Sequence, residues 1–430
     1  LFVARAAANE WDAVILTQEA FKRLPVEPAT QGRYIDSEIT LLEQALSDPE
    51  LDRLSVKQIE KQLAAAQEKQ RRLLDVDRDP GITFEATGID YLMVDEFHTY
   101  KNLDTISRIP DARIDGSLRS TDMAMKLAYL RDRHGARVVT VATATPIANS
   151  ITEAHVMQRY LRPDLLREAG VEAFDAWAAT FGVTTSEMEM APQGGSFRLK
   201  TRFARFQNVP EMLRMWHVFA DVKTAEDLNL PTPELKTRAD GQRAPHTVAI
   251  AAPSVVLDYV ERLGERAEAV ANRSVTPDVD NMLKISTDGR KAALDYRMID
   301  PDAQPEDAPA LETIADTIAR IHHQNKDNRY QDTRTGEPSP VPGALQLVFL
   351  DLGTPKDDQW NAYDELKLLL TARGVPEASI RYIQEAKNDK QKASIFSAAR
   401  EGRIAVLMGS TTRMGVGTNV QARAVALHDV

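Results

Sequence analysis

The stretch "GIDYLMVDEFHTYKNL", residues 88–103, decides how the chain is read. Tyr91 to Val94 form an apolar run that ends abruptly in two adjacent carboxylates, Asp95 and Glu96. A short apolar run of this kind reads as a buried strand. Ligands of open α/β sheets bind at the carboxyl ends of strands. Paired acids there suit a magnesium–phosphate ligand. One carboxylate holds the ion, usually through water, and the next orients or activates the water that attacks the terminal phosphate. A plain acidic turn is the alternative, and the dipeptide alone does not exclude it.

Working outward, "VVTVATATPIANSITEAHVMQRYL" (138–161) gives a second strand, ending in Thr143, Ala144 and Thr145. Thr145 reads as an N-cap and Pro146 as the first residue of a helix. Small hydroxyls at that strand end would lie beside the acids and pass hydrogen bonds onward. Upstream, "DAVILTQEAFKRL" (12–24) reads as a buried strand over 13–17 that ends in Thr17 and Gln18. Between these, residues 36–75 show helical spacing of Val56, Ile59, Leu63, Ala66 and Leu73, broken at "SDPE" (47–50) into a helical hairpin. Its "KQRR" (69–72) reads as a solvated face.

Beyond residue 180 the pattern is mixed, with a loop at 191–196 and an extended linker at 229–236. "SFRLKTRFARF" (196–206) carries Arg198, Lys200, Arg202 and Arg205, and alternate basic residues fall on one face if the segment is extended, a candidate basic patch or a solvated edge strand. Strands are then expected at 246–252, 344–352, 379–383 and 404–410, with helices between. This alternation argues for α/β layers with parallel sheets. The chain therefore divides into a first lobe over 1–180, a linker over 181–243 and a second lobe over 244–430. In the last segment, "MGVGTNV" offers Gly415 and Gly417 for close backbone approach to a phosphate, and Thr418 and Asn419 for side-chain bonds to it.

At 430 residues the chain is too long for one ordinary domain. Its zero cysteines exclude disulfides, thiolate metal sites and cysteine nucleophiles, and suit a reducing cytoplasm. No apolar run reaches membrane-spanning length. The net charge of −11 disfavours nucleic-acid binding by overall charge, while leaving room for a local basic groove.

In this order and spacing, "DEFH" and "TATP" resemble motifs II and III of superfamily-two helicases and translocases. Phe97 stands where that family usually has a small residue. "LQLVFLDL" (345–352) resembles motif IV, "QEAKNDKQKASIFSAAREGRIAVLMGSTTRMGVGTNVQ" (384–421) the approach to motif V, and "DAVILTQEAFKRL" the Ia–Ib region. The wording of "VDEFHTYKNL" and "LPTPELK" is similar to the Snf-like branch, and to large helicase-like proteins of phages, plasmids and integrative elements, sometimes fused to a DNA methylase.

The resemblance implies two RecA-like lobes with helical insertions, ATP and Mg2+ as cofactors, and DNA, in duplex form, as partner. It assigns Asp95 to magnesium through water, and Glu96 and His98 to catalysis. Thr143 and Thr145 would couple the site to movement. Thr17, Gln18, Arg202, Arg205, Gly415, Gly417, Thr418 and Asn419 would meet nucleic acid. The chain holds no Gly-Lys pair, hence no P-loop, and no motif VI arginine. The family carries these before Leu1 and after Val430, so both lobes are expected to be truncated and the isolated chain inactive. A retired motor fold that only binds nucleic acid, or an RNA helicase, would carry the same motifs.

Overall fold

The computed structural model describes residues 11–46, 53–74, 81–107, 109, 112–190, 197–229, 234–332, 336–355, 359–415 and 419–430. These form two compact units, one running to residue 229 and the other from residue 234 to Val430.

In the first unit, helix α1 (Gln18–Lys22) precedes a helical hairpin of α2 (Pro28–Leu46) and α3 (Arg53–Leu74), which pack on each other. Ile35, Leu42 and Ile59 are its buried residues. Then come β1 (Leu92–Val94), α4 (Leu118–His134), β2 (Val139–Val141), α5 (Thr152–Leu161) and α6 (Phe174–Phe181). Strands β3 (Gly182–Met190) and β4 (Phe197–Phe206) pair with each other, and α7 (Val209–His217) follows. β1 and β2 are parallel, with Val94 opposite Val141, and Phe97 N donates to Ala142 O beyond the last paired residues. Leu92, Phe97, Tyr100, Met123, Leu127, Leu130 and Tyr160 build the core beneath this sheet. Phe97 is fully buried, its ring 5.2 Å from that of Tyr160 and 5.3 Å from that of Tyr100. Arg159 of α5 ties the hairpin to this core through Glu38 Oε1 (3.1 Å) and Asp104 O (2.8 Å).

The second unit starts with α8 (Ser254–Ala271), α9 (Met282–Leu294) and α10 (Pro309–Asn325). Then β5 (Leu345–Phe349), α11 (Ala362–Ala372), β6 (Ile380–Tyr382), α12 (Asp389–Arg400), β7 (Val406–Gly409) and β8 (Ala424–Asp429) alternate. The strands form one parallel sheet in the order β6-β7-β5-β8. Side chains of a strand alternate between faces, and the core follows that period. Val348, Val406 and Met408 pack with α10 and α11 on one face, while Leu345, Leu347 and Leu407 pack with α12 on the other. The fold is therefore α/β, with parallel sheets flanked by helices, as expected of RecA-like lobes.

Four local expectations are overturned. Residues 13–17 form no strand, and Ile15 is 98% exposed. Residues 246–252 likewise form none, with Val248 and Ile250 exposed. An apolar run becomes a strand only when a neighbour takes its backbone groups, and among the described residues neither run has such a partner. β1 is buried on one face only, leaving Met93 84% exposed, because the core helices cover a single face of the β1–β2 pair. Finally, Thr145 caps no helix. α5 starts at Thr152, because Glu153 accepts from the amides of Ala148 (2.6 Å) and Asn149 (3.3 Å) and folds 146–150 into a loop instead.

Candidate functional site

Three loops meet at the carboxyl ends of β1 and β2. At the centre, Asp95 Oδ1 accepts from Glu96 N at 2.8 Å, and Glu96 adopts φ 52°, ψ 45°. That left-handed conformation costs a non-glycine residue about 1–2 kcal/mol, and such strain gathers where function demands a geometry. What holds it is visible. On one side Phe97 N bonds Ala142 O at 3.0 Å, and the buried Phe97 ring anchors the next turn. On the other side, Gln18 Nε2 donates to Asp95 O (2.8 Å), while Gln18 Oε1 accepts from Thr99 Oγ1 (2.7 Å). One amide thus grips both ends of the acidic loop.

Thr17 Oγ1 accepts from Ala20 N (3.2 Å) and so caps α1, setting Gln18 at its first turn. The far end of α1 is held by Lys126, a fully buried lysine whose Nζ donates to Phe21 O (2.9 Å) and to Asp122 Oδ2 (2.7 Å). The same ammonium lies 4.2 Å from the centroid of the Phe21 ring. Burial lowers the Lys126 pKa, and Asp122 opposes that shift; burial also raises that of Asp122. Both shifts favour the neutral forms, so desolvation outweighs the pair's attraction.

The third loop comes from β2. His98 Nδ1 stands 3.2 Å from Glu96 Oε2 and 3.2 Å from Thr143 Oγ1. Thr143 Oγ1 in turn accepts from Thr145 N at 3.2 Å. A continuous polar path therefore runs from Glu96 through His98 to the 143–145 turn. Behind it, Lys101 Nζ meets Glu153 Oε1 at 3.2 Å, with Glu153 almost wholly buried. Glu153 also holds the 148–149 amides, so this carboxylate joins the acidic segment to the loop after Thr145.

The structure thus brings Thr17, Gln18, Asp95, Glu96, His98, Thr143 and Thr145 together in the first unit. Arg202 and Arg205 are exposed on β4, where Arg202 is ion-paired with Glu189. In the second unit, Gly415 ends the short helix Thr411–Met414, and a Cβ there would lie 2.6 Å from Thr411 O. Asn419 O accepts from Arg400 Nη1 at 2.8 Å. Gly417 and Thr418 lie outside the described residues.

Sequence reasoning missed Thr99, Lys101, Lys126 and Glu153, each of which has a partner distant in the chain. It also missed Asp351, whose Oδ1 accepts from Thr411 N at 2.6 Å. A signal for Asp351 existed: it follows the apolar run of β5 as Asp95 follows that of β1.

A family model described as "Probable helicase domain" matches residues 1–224, just over half of the chain. Defense against restriction protein B of Escherichia phage P1 is 24% identical over 439 aligned residues, covering 94% of this chain and 18% of that protein. The chain thus spans less than a fifth of that relative's length. No solved structure matches. With the acidic loop, the β2 turn and α1 all inside the matched segment, the chain belongs to the family of probable helicase domains.

Proposed function

We propose that this chain is core material of an ATP-dependent DNA translocase of the Snf-like branch of superfamily two. The observation that carries the reading is the hydrogen-bonded meeting of 17–18, 95–99 and 143–145 at one end of a parallel sheet. Three segments that resemble separate motifs in sequence are one polar cluster in space.

Magnesium fits the residues present. The described residues hold no cluster of three or more His, Asp or Glu side chains able to cage a metal. Magnesium in nucleotide sites needs none, since one or two carboxylates and the substrate phosphates suffice. Asp95 offers an exposed carboxylate at the strand end. Bound there, the ion would neutralise charge on the phosphates of ATP.

The chain's own residues do the rest. Glu96, locked by its backbone conformation, orients the attacking water and takes its proton. His98 orients the Glu96 carboxylate and connects it to Thr143. Thr143 holds the amide of Thr145, so a change at the acid reaches the 143–150 loop. Thr17 and Gln18 tie the same acids to α1, a surface for the nucleic-acid backbone. The phage relative, named for defence against restriction, supports a role on DNA.

The test is Glu96→Gln in the full-length protein. ATP hydrolysis should fall by about 10²-fold or more, with nucleotide binding retained. Unchanged turnover removes Glu96 from the role. Comparing stimulation by duplex DNA, single-stranded DNA and RNA tests the polymer. The isolated chain, lacking any Gly-Lys pair, should hydrolyse ATP negligibly.

A further inference from the structure

A cavity of about 260 Å³ opens in the second unit, away from the carboxyl ends of its strands. Ser339, Val341, Ser397, Arg400, Arg403 and Arg423 line it, together with Pro340, Asp332 and Glu401. It lies where α12 ends and β8 begins, at the amino-terminal edge of the sheet.

Arg423 is the unusual member. Only 2% of it is exposed, yet every hydrogen-bond acceptor it has is neutral. Nε donates to Arg400 O (2.7 Å), and Nη1 donates to Val341 O (2.8 Å) and Gly343 O (3.4 Å). Nη2 donates to Ser339 Oγ. A guanidinium has five N–H groups, so these four bonds leave one Nη2 proton. The ring of Tyr330 packs against it, centroid 5.2 Å from Cζ. Buried charges are normally met by an opposite charge.

The nearby carboxylates do not supply one by contact. Glu401 is taken by Arg403 Nε (3.0 Å) and Ser397 Oγ (2.7 Å). Asp332 acts on Arg423 only through space. With Glu401 satisfied by Arg403, Arg400 and Arg423 face the cavity against Asp332. The carbonyl end of α12 would repel an anion, but Arg423 Nε and the α12 side chain of Arg400 offset that. The volume falls just below the roughly 300 Å³ at which drug-sized pockets begin, and leaves ample room for a phosphate group.

We infer that this cavity is a binding site for a phosphate-class oxyanion, held by the guanidinium groups of Arg400 and Arg423. The anion is either free phosphate or the phosphate of a mononucleotide. The site is independent of the acids of the first unit, and the inference does not rest on the function proposed for them.

The test titrates the 430-residue chain with inorganic phosphate and, separately, with AMP, by calorimetry at low salt. Saturable binding of phosphate is expected, with Kd of about 1 mM, weakened at least tenfold in Arg400→Gln. Arg262→Gln, which alters a cation bonded to Tyr296 elsewhere in the unit, should bind as the parent does. Phosphate alone binding indicates the free ion; equal binding of AMP indicates that a phosphate ester is accepted. No saturable binding of either probe overturns the inference. So does binding of AMP without phosphate, or binding that Arg400→Gln leaves unchanged.

Discussion

His155 makes the stability of the first unit depend on pH in a way that can be worked through. It lies on α5, 1% exposed, with Nε2 3.0 Å from Glu172 O. Its ring packs against Phe174 (5.4 Å) and Trp177 (5.6 Å). Burial, reinforced by the neighbouring Arg159 charge, lowers its pKa from 6.5 to about 3. The folded state therefore prefers neutral His155, while the unfolded chain protonates it near pH 6.5. Its stabilising contribution is complete above that value. It is lost as pH falls from 6.5 toward 3, because only the unfolded state binds the proton. Linkage puts the loss between pH 7 and pH 5 at about 2 kcal/mol.

Substituting His155→Gln removes the titration, and the Gln amide can still donate to Glu172 O. Urea unfolding followed by tryptophan fluorescence suits the measurement, since Trp177 is fully buried beside His155. The parent should lose about 2 kcal/mol more than the variant between pH 7 and pH 5. Equal losses in the two proteins would refute the assignment. His428 in the second unit, lowered to about 4 by burial, titrates in both proteins and cancels in the comparison.

Two further substitutions probe the support of the acidic loop. Phe97→Ala, which empties a fully buried site, should cost about 3–5 kcal/mol in the same unfolding assay; a cost below 1 kcal/mol would mean that the ring is not the anchor. Lys126→Met should cost about 3–5 kcal/mol by stranding Asp122. Adding Asp122→Leu should recover most of that, because desolvation outweighs the attraction in this pair. No recovery in the double variant would show that the bond from Lys126 to Phe21 O dominates.

The acids are legible in the sequence because their signal is local. An apolar run that stops at Asp95 and Glu96 states both a strand and the end of it, and β1 does end at Val94. The same reasoning located β5 and β7, whose apolar residues are buried on both faces, and β6, which buries Ile380 and Tyr382 on one. It failed for 13–17 and 246–252, which have equal apolar character but no ladder partner among the described residues. It failed at Thr145 too, where a good cap residue was outcompeted by Glu153, eight positions on in the sequence.

Sequence by itself thus determined the α/β class, the acids and the order of the loops around them, since strand ends and residue chemistry are written in consecutive positions. Tertiary structure alone decided that Gln18 holds the Asp95–Thr99 loop and that His98 links Glu96 to Thr143. It also decided that Lys126 pins α1 and that Arg423 is buried beside a cavity. Each of these is a contact across a long sequence separation. Only the packing that brings two distant backbone segments within hydrogen-bond reach determines which partner a polar side chain finds.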